Sequence, residues 1–185
     1  MKKILKDSVF YVLVPIVMVL LMIQFIRPIT IKGVSMMPFL KDNSKCLMIR
    51  SKTFKRRDVV VFRTDEMRSE KDLKHGNIIQ QLIDGKQKIL IKRIIGLPGD
   101  SIEVVDSKVK INGEFIDDFS DIAIIGDFGP YEVPEESYFM LGDNRNRSKD
   151  SRYWDNPYVE KSLIKGKVWI KYFPSLEYLG GNNGQ

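Results

Sequence analysis

One cysteine and one histidine in 185 residues narrow the chemistry at once. Cys46 has no partner for an internal disulfide, and no Cys/His set has the spacing of metal ligands. Neither a metal nor any other cofactor is expected. His75 falls in the polar run from Thr64 to Asn77 and reads as a loop residue, neither base nor ligand. Internal repeats are absent, and no long amphipathic helical pattern occurs after the first 30 residues. The only low-complexity piece is Gly180–Gln185, within a flexible tail over 175–185. Charge is missing altogether from Ser8 to Ile26.

That uncharged stretch runs to roughly 19 residues, enough at 1.5 Å per residue to cross a bilayer core of about 30 Å. Pro15 and Gln24 interrupt it, and both are tolerated in a membrane helix. A cleaved signal peptide would have a shorter apolar region and a small-x-small cleavage site. Here Gln24-Phe25-Ile26-Arg27-Pro28 stands where small residues are needed. Residues 8–26 therefore read as an uncleaved transmembrane anchor in a lipid bilayer. Lys2, Lys3 and Lys6 lie in a tail over 1–7 that the positive-inside rule places in the cytoplasm. The expected location is the cell membrane, single-pass, with the remainder outside the cytoplasm. A net charge of +6 and a pI near 9.3 suit an anionic membrane surface. Nucleic acid is set aside as a partner, because a tethered domain has little access to it. The cluster Lys52, Lys55, Arg56 and Arg57 reads residue by residue as a solvated turn.

Beyond the anchor the pattern is β. Short runs rich in Val, Ile and aromatics are divided by Gly, Asn, Asp and Pro. Strands are expected at Cys46–Arg50, Val59–Phe62, Ile78–Ile83, Lys88–Ile95, Ile102–Val105, Val109–Ile111, Tyr138–Leu141 and Lys167–Phe173. Asp84-Gly85 is a hairpin signal ahead of the fourth run. The fold class is mainly β: a catalytic sheet or barrel over 27–100 and 137–174, with a more acidic inserted subdomain over 101–136.

Within the most apolar run, Ile89–Ile95, sits Lys92. Strand alternation gives it the same face as Leu90 and Ile94, while Arg93 faces the other way. An ammonium there must find a partner or lose its proton, since desolvation lowers a lysine pKa. A snorkelling lysine fits the same pattern. A neutral lysine is a general base, and Gly33-Val34-Ser35-Met36-Met37-Pro38 offers it a nucleophile. A third segment, Gly142-Asp143-Asn144-Arg145-Asn146-Arg147-Ser148-Lys149-Asp150-Ser151-Arg152, is too polar to be packed core.

In order behind one anchor, these pieces resemble the bacterial type I signal peptidases, membrane-anchored serine proteases of the small Gram-positive type. Ser35-Met36-Met37-Pro38 matches the family's Ser-Met-x-Pro. Lys92 to Asp100 matches Lys-Arg-(apolar)₂-Gly-x-Pro-Gly-Asp, and Gly142 to Arg152 matches Gly-Asp-Asn-x₃-Ser-x-Asp-Ser-Arg. Arg57-Asp58-Val59-Val60-Val61-Phe62 is similar to a weaker fourth element. The resemblance implies that Ser35 is the nucleophile, Lys92 the general base, and Ser148 a hydrogen-bonding partner that orients Lys92. It also implies that Asp150 and Arg152 form a structural pair, with Asp143 and Asn144 as scaffold. Surface salt bridges of little worth are the alternative for Asp143, Asp150 and Arg152. The Ser35 N–H is the expected oxyanion donor. Some relatives add a serine hydroxyl two positions before the nucleophile, where this chain has Gly33. Substrate is expected as an extended strand, with Gly33, Met36, Pro38, Ile91 and Ile94 lining shallow pockets for small side chains. The implied partners are signal-peptide-bearing preproteins. Phe39, Arg57 and Trp154-Asp155 depart from the family's usual residues. They suggest a specialised paralogue for pilin or other surface-protein precursors, or a non-enzymatic pilus assembly factor. Self-cleaving repressor-like proteins share Ser-Lys chemistry, but they are soluble and lack such an anchor.

Overall fold

The computed structural model describes residues 2–67, 87–116 and 126–179. Helix α1 (Lys2–Phe25) leads directly into strand β1 (Ile26–Thr30), so Ile26 begins the sheet rather than ending the helix. Phe10, Val12, Leu13, Ile16 and Val17 on α1 are exposed. Among the described residues no helix is long and apolar enough to cross a membrane; the side chains at 1–9, 20, 21 and 23 lie outside them.

Strands β2 (Lys45–Ile49), β3 (Val59–Met67), β4 (Gln87–Gly96), β5 (Ser101–Val105), β6 (Lys108–Ile111) and β7 (Glu114–Phe115) follow. Then come β8 (Phe128–Glu132), β9 (Ser137–Leu141), β10 (Tyr158–Glu160), β11 (Ile164–Phe173) and β12 (Glu177–Tyr178). The larger sheet runs β1-β2-β11-β3-β4-β9-β10, with β12 paired to β11. The smaller runs β7-β6-β5-β8. The mainly β expectation is met by two antiparallel sheets. The smaller sheet falls in 101–132, inside the expected insertion. His75, the expected strand Ile78–Ile83, the Asp84-Gly85 turn and the tail Gly180–Gln185 lie outside the described residues.

Strand alternation sorts the core. On β3 and β4, Val59, Val61, Ile89 and Ile91 pack with Met36, Leu40 and Met48. Val60, Phe62, Leu90 and Ile94 pack with Tyr138, Met140 and Val159 on the other side. A central strand covered on both faces needs the near-continuous apolar run that β4 carries. A third cluster joins the sheets: Ile95, Phe139 and Leu141 of the larger meet Ile102, Val104, Val109 and Ile111 of the smaller. Asp100 ties the connecting turn, accepting from the Leu97 N–H at 2.6 Å and from Asn112 Nδ2 at 3.1 Å.

This topology places the polar segments. In the register, Arg93 lies opposite Val59 on one side and Leu141 on the other. The chain leaving fully buried β9 at Leu141 thus enters Gly142-Asp143 beside Arg93. The long β1–β2 connection, residues 31–44, closes over the same end of β4. Its ends are joined by the Ile31 N–H to the Ser44 carbonyl at 2.8 Å and the Asn43 N–H to the Ile31 carbonyl at 2.9 Å.

Candidate active site

The Ser35 loop is a compact turn with two apolar pegs. The Met37 N–H donates to the Val34 carbonyl at 3.1 Å and the Leu40 N–H to the Met36 carbonyl at 2.7 Å. Met36 and Leu40 are 1% and 0% exposed. Burying two such side chains stabilises the loop by about 2 kcal/mol each, leaving Ser35 half-buried at its crest. Gly33, with φ of +91°, donates its N–H to Asp42 Oδ1 at 2.8 Å.

Lys92 reaches this loop from β4. Its Nζ donates to Ser35 Oγ at 2.8 Å, while the residue is 3% exposed. Burial lowers its pKa from 10.5 to about 8, against the opposing pull of the Asp150 and Asp143 carboxylates. Neither acid forms an ion pair with Lys92 among the described contacts, because each already holds an arginine. Arg93 grips Asp143 through Nε and one terminal nitrogen, both at 2.7 Å. Arg152 grips Asp150 in the same two-pronged way at 2.8 and 2.9 Å, with both side chains wholly buried. The surface-salt-bridge alternative for these residues is overturned by that burial.

The segment after β9 also fixes the Ser35 loop. The Asn144 N–H donates to the Ser35 carbonyl at 3.0 Å, and Asn144 Nδ2 to the Val34 carbonyl at 3.1 Å. Asp150 Oδ2 accepts from the Gly142 N–H at 3.0 Å, and Arg152 donates to the Arg145 carbonyl at 2.6 Å. Gly142 is the tightest point. A Cβ there would stand 2.2 Å from Ser148 Oγ and 2.6 Å from the Ser35 carbonyl oxygen. Only hydrogen lets the two serine-bearing segments close on each other.

Ser35, Lys92, Asp143, Asn144, Ser148, Asp150 and Arg152 are thus brought together. Two details differ from expectation. Ser148 Oγ is buried but has no hydrogen-bond partner, so the expected bond to Lys92 is not formed. Met36 and Ile94 are 1% and 0% exposed inside separate core clusters, and so have no surface with which to line a groove. Ile91 is half-buried, whereas Gly33 and Pro38 are open. Sequence reasoning missed Gly142 and Arg93 as parts of the site. The signals were a glycine opening a polar run and a second cation beside Lys92 in an apolar strand. Phe39 lies under Arg93, with the guanidinium carbon 4.5 Å from the ring centre. Trp154 packs edge-on against Phe62 at 5.9 Å, in the core.

Residues 3–173 match the family described as signal peptidase, peptidase S26. The chain belongs to that family. It is a serine endopeptidase by that membership. It is 32% identical over 187 residues to a signal peptidase I of Bacillus licheniformis, covering 91% of each chain. It is 31% identical to signal peptidase I V of Bacillus subtilis (strain 168), over 84% of this chain and 94% of that one. A solved signal peptidase I from Enterococcus faecalis V583 is 26% identical, with a TM-score of 0.44, over 62% of this chain and 96% of that one.

Gly142→Ala is expected to leave the sheets folded and lower peptidase turnover by about 100-fold, the scale of a 1 Å misplacement at a reacting centre. Turnover measured beside a thermal melt checks this; unchanged turnover would remove Gly142 from the site. Lys92→Met is expected to stabilise the fold at pH 7 by about 1–3 kcal/mol, because it removes a buried ammonium. The gain should shrink from about pH 8 toward 10.5. Over that window the unfolded state binds the extra proton, so the stability of the parent rises with pH. Melting curves of both proteins at pH 7 and pH 10 read the difference.

Proposed function

We propose that this chain is a membrane-anchored signal peptidase that removes signal peptides from exported preproteins with a Ser35–Lys92 dyad. The observation that carries the reading is the 2.8 Å contact between Lys92 Nζ and Ser35 Oγ, with Lys92 almost wholly buried. With its pKa brought to about 8, Lys92 holds a usable neutral fraction near neutral pH and is a competent base.

In the proposed reaction neutral Lys92 accepts the Ser35 proton while Oγ attacks the scissile carbonyl carbon. The Ser35 N–H donates to the oxyanion that forms. The Gly33 N–H is taken by Asp42, which leaves the Ser35 N–H as the donor at the loop crest. Collapse breaks the C–N bond, and the Lys92 ammonium returns its proton to the departing amine. Lys92 then draws a proton from water as the water oxygen attacks the acyl-Ser35 ester, and returns that proton to Ser35 Oγ as the acyl C–O bond breaks. Ser148 is the orienting residue of this scheme, its hydroxyl buried beside Gly142 and free to turn toward Lys92. Asp143, Asn144, Asp150 and Arg152 hold the loop and the base in register.

Substrate is proposed to bind as an extended strand beside the Ser35 loop, with Gly33, Pro38 and Ile91 as its contacts and small side chains before the cleaved bond. The exposed apolar side chains of α1 and the Lys2, Lys3 and Lys6 tail support an anchor over 8–26, with the catalytic domain outside the cytoplasm. A dedicated role with pilin or other surface-protein precursors is the second reading. It is favoured by Phe39 and Arg57, the departures at the edge of the site.

Purified full-length protein in detergent is expected to cleave a signal-peptide-bearing precursor after a small residue. Ser35→Ala and Lys92→Ala should each reduce turnover by about 10⁴-fold or more while the protein stays folded, as loss of a nucleophile or its base does elsewhere. Retained activity in either variant would sink the dyad. Cleavage of a pilin precursor alone would select the second reading. kcat/KM should rise about tenfold per pH unit up to about pH 8 and then level, because only unprotonated Lys92 accepts the proton. A flat profile from pH 6 to 9 would remove Lys92 as the base.

A further inference from the structure

Arg93 and Asp143 also line a cavity of about 630 Å³ that neither Ser35 nor Lys92 reaches. Its walls come from the chain just after the nucleophile, the turn at 55–58, and β11 with the residues around β12. Seven basic side chains line it against three carboxylates. Each carboxylate is already engaged: Asp143 by Arg93, Asp58 by Lys167 at 3.2 Å, and Glu177 by Lys171. Lys41 and Lys55 form no ion pair among the described residues, so the cavity carries uncompensated positive charge.

Two further observations point to an incoming acceptor. Ser44 lines the cavity and is 1% exposed, yet its Oγ has no hydrogen-bond partner. Buried hydroxyls are ordinarily satisfied, and one on a residue lining a basic cavity can donate to an acceptor that enters it. Arg57, on the same wall, holds φ at +79°, a left-handed conformation that a long side chain adopts at a cost. Its backbone needs no side chain there: the Arg57 N–H donates to the Ile94 carbonyl at 2.8 Å, and its own carbonyl accepts from Arg93 at 2.8 Å. A glycine would serve that geometry without strain. The arginine adds a cationic fork where the backbone resists it.

We infer that the cavity walled by Phe39, Ser44, Arg57 and Lys171 is a binding site for a phosphate group. Cations approach from four chain segments, which suits a tetrahedral anion with several acceptor oxygens better than a planar carboxylate. The inference does not depend on the Ser35–Lys92 chemistry, and its test uses no cleavage assay. The full chain in maltoside micelles and phosphate-free buffer is titrated calorimetrically with inorganic phosphate, and separately with short-chain phosphatidylglycerol, against chloride at equal ionic strength. Binding of one equivalent is expected, weakened about tenfold or more in Arg57→Gly, the scale of one charge-assisted hydrogen bond. Ser44→Ala should weaken it by a smaller factor. A thermal melt of Arg57→Gly beside the parent separates lost binding from lost fold. Free phosphate binding with these losses establishes the site; binding of the lipid alone, with the same losses, establishes it with a membrane as the source. No binding of either probe, or binding that both variants leave unchanged, overturns it.

Discussion

A lysine held inside the sheet without a carboxylate in contact is the constraint around which this molecule is arranged. Moving an ammonium out of water costs several kcal/mol unless something repays it, and the cheapest relief is to give up the proton. Lys92 is placed to do that. Its one described hydrogen bond goes to a neutral hydroxyl, and both nearby acids are occupied. Had Asp143 or Asp150 closed onto Lys92 itself, the ammonium would have been stabilised and the lowered pKa lost. The arginines therefore do two jobs. They neutralise the acids, and they hold those acids at a distance from which their fields only partly offset the effect of burial.

The polar segment after β9 follows from the same requirement. Bidentate arginine–carboxylate pairs have fixed geometry, and a wholly buried pair tolerates little displacement. Asp150 uses one oxygen on Arg152 and the other on both Arg152 and the Gly142 N–H. The turn containing Gly142 is thus locked to the pair, and Asn144 in that turn locks the Ser35 loop. Position passes from a buried ion pair, through a glycine, to the candidate nucleophile. Side chains that never touch a substrate can therefore govern the site.

How much of this could be read beforehand depended on whether the signal was local. Runs such as Ile89–Ile95 and Val59–Phe62 announce covered strands, because period-two burial on both faces leaves little room for polar residues. Strands β1, β7, β8, β10 and β12 are short edge or near-edge pieces whose apolar content is slight, as in Phe128-Gly129-Pro130-Tyr131-Glu132, and they went unread. Ser35, Lys92 and the polar segment were legible through motif order. Side-chain direction was not. Met36 next to Ser35 reads as a pocket wall, yet the turn it belongs to needs an apolar peg more than an apolar rim. Ile94 likewise belongs to the core on the face that Val60 and Met140 share.

The departures from the family pattern gain a physical meaning once the core is in place. Phe39 puts a ring against the Arg93 guanidinium, the face left available when Asp143 takes the edge. A cation stacked and bidentately paired is more firmly fixed than one merely paired. Phe39 thus stiffens the same Arg93–Asp143 contact that borders both the candidate dyad and the basic cavity. Arg57 works on the opposite side of Arg93, through its carbonyl, and adds charge facing the cavity. Both substitutions converge on one arginine, the residue next to Lys92 on β4. Any anion entering the cavity would meet the wall that sets where Asp143 sits, and Asp143 is one of the two acids that oppose the lowered pKa of Lys92. The cavity and the candidate dyad therefore share one element, the Arg93–Asp143 ion pair that stands between them.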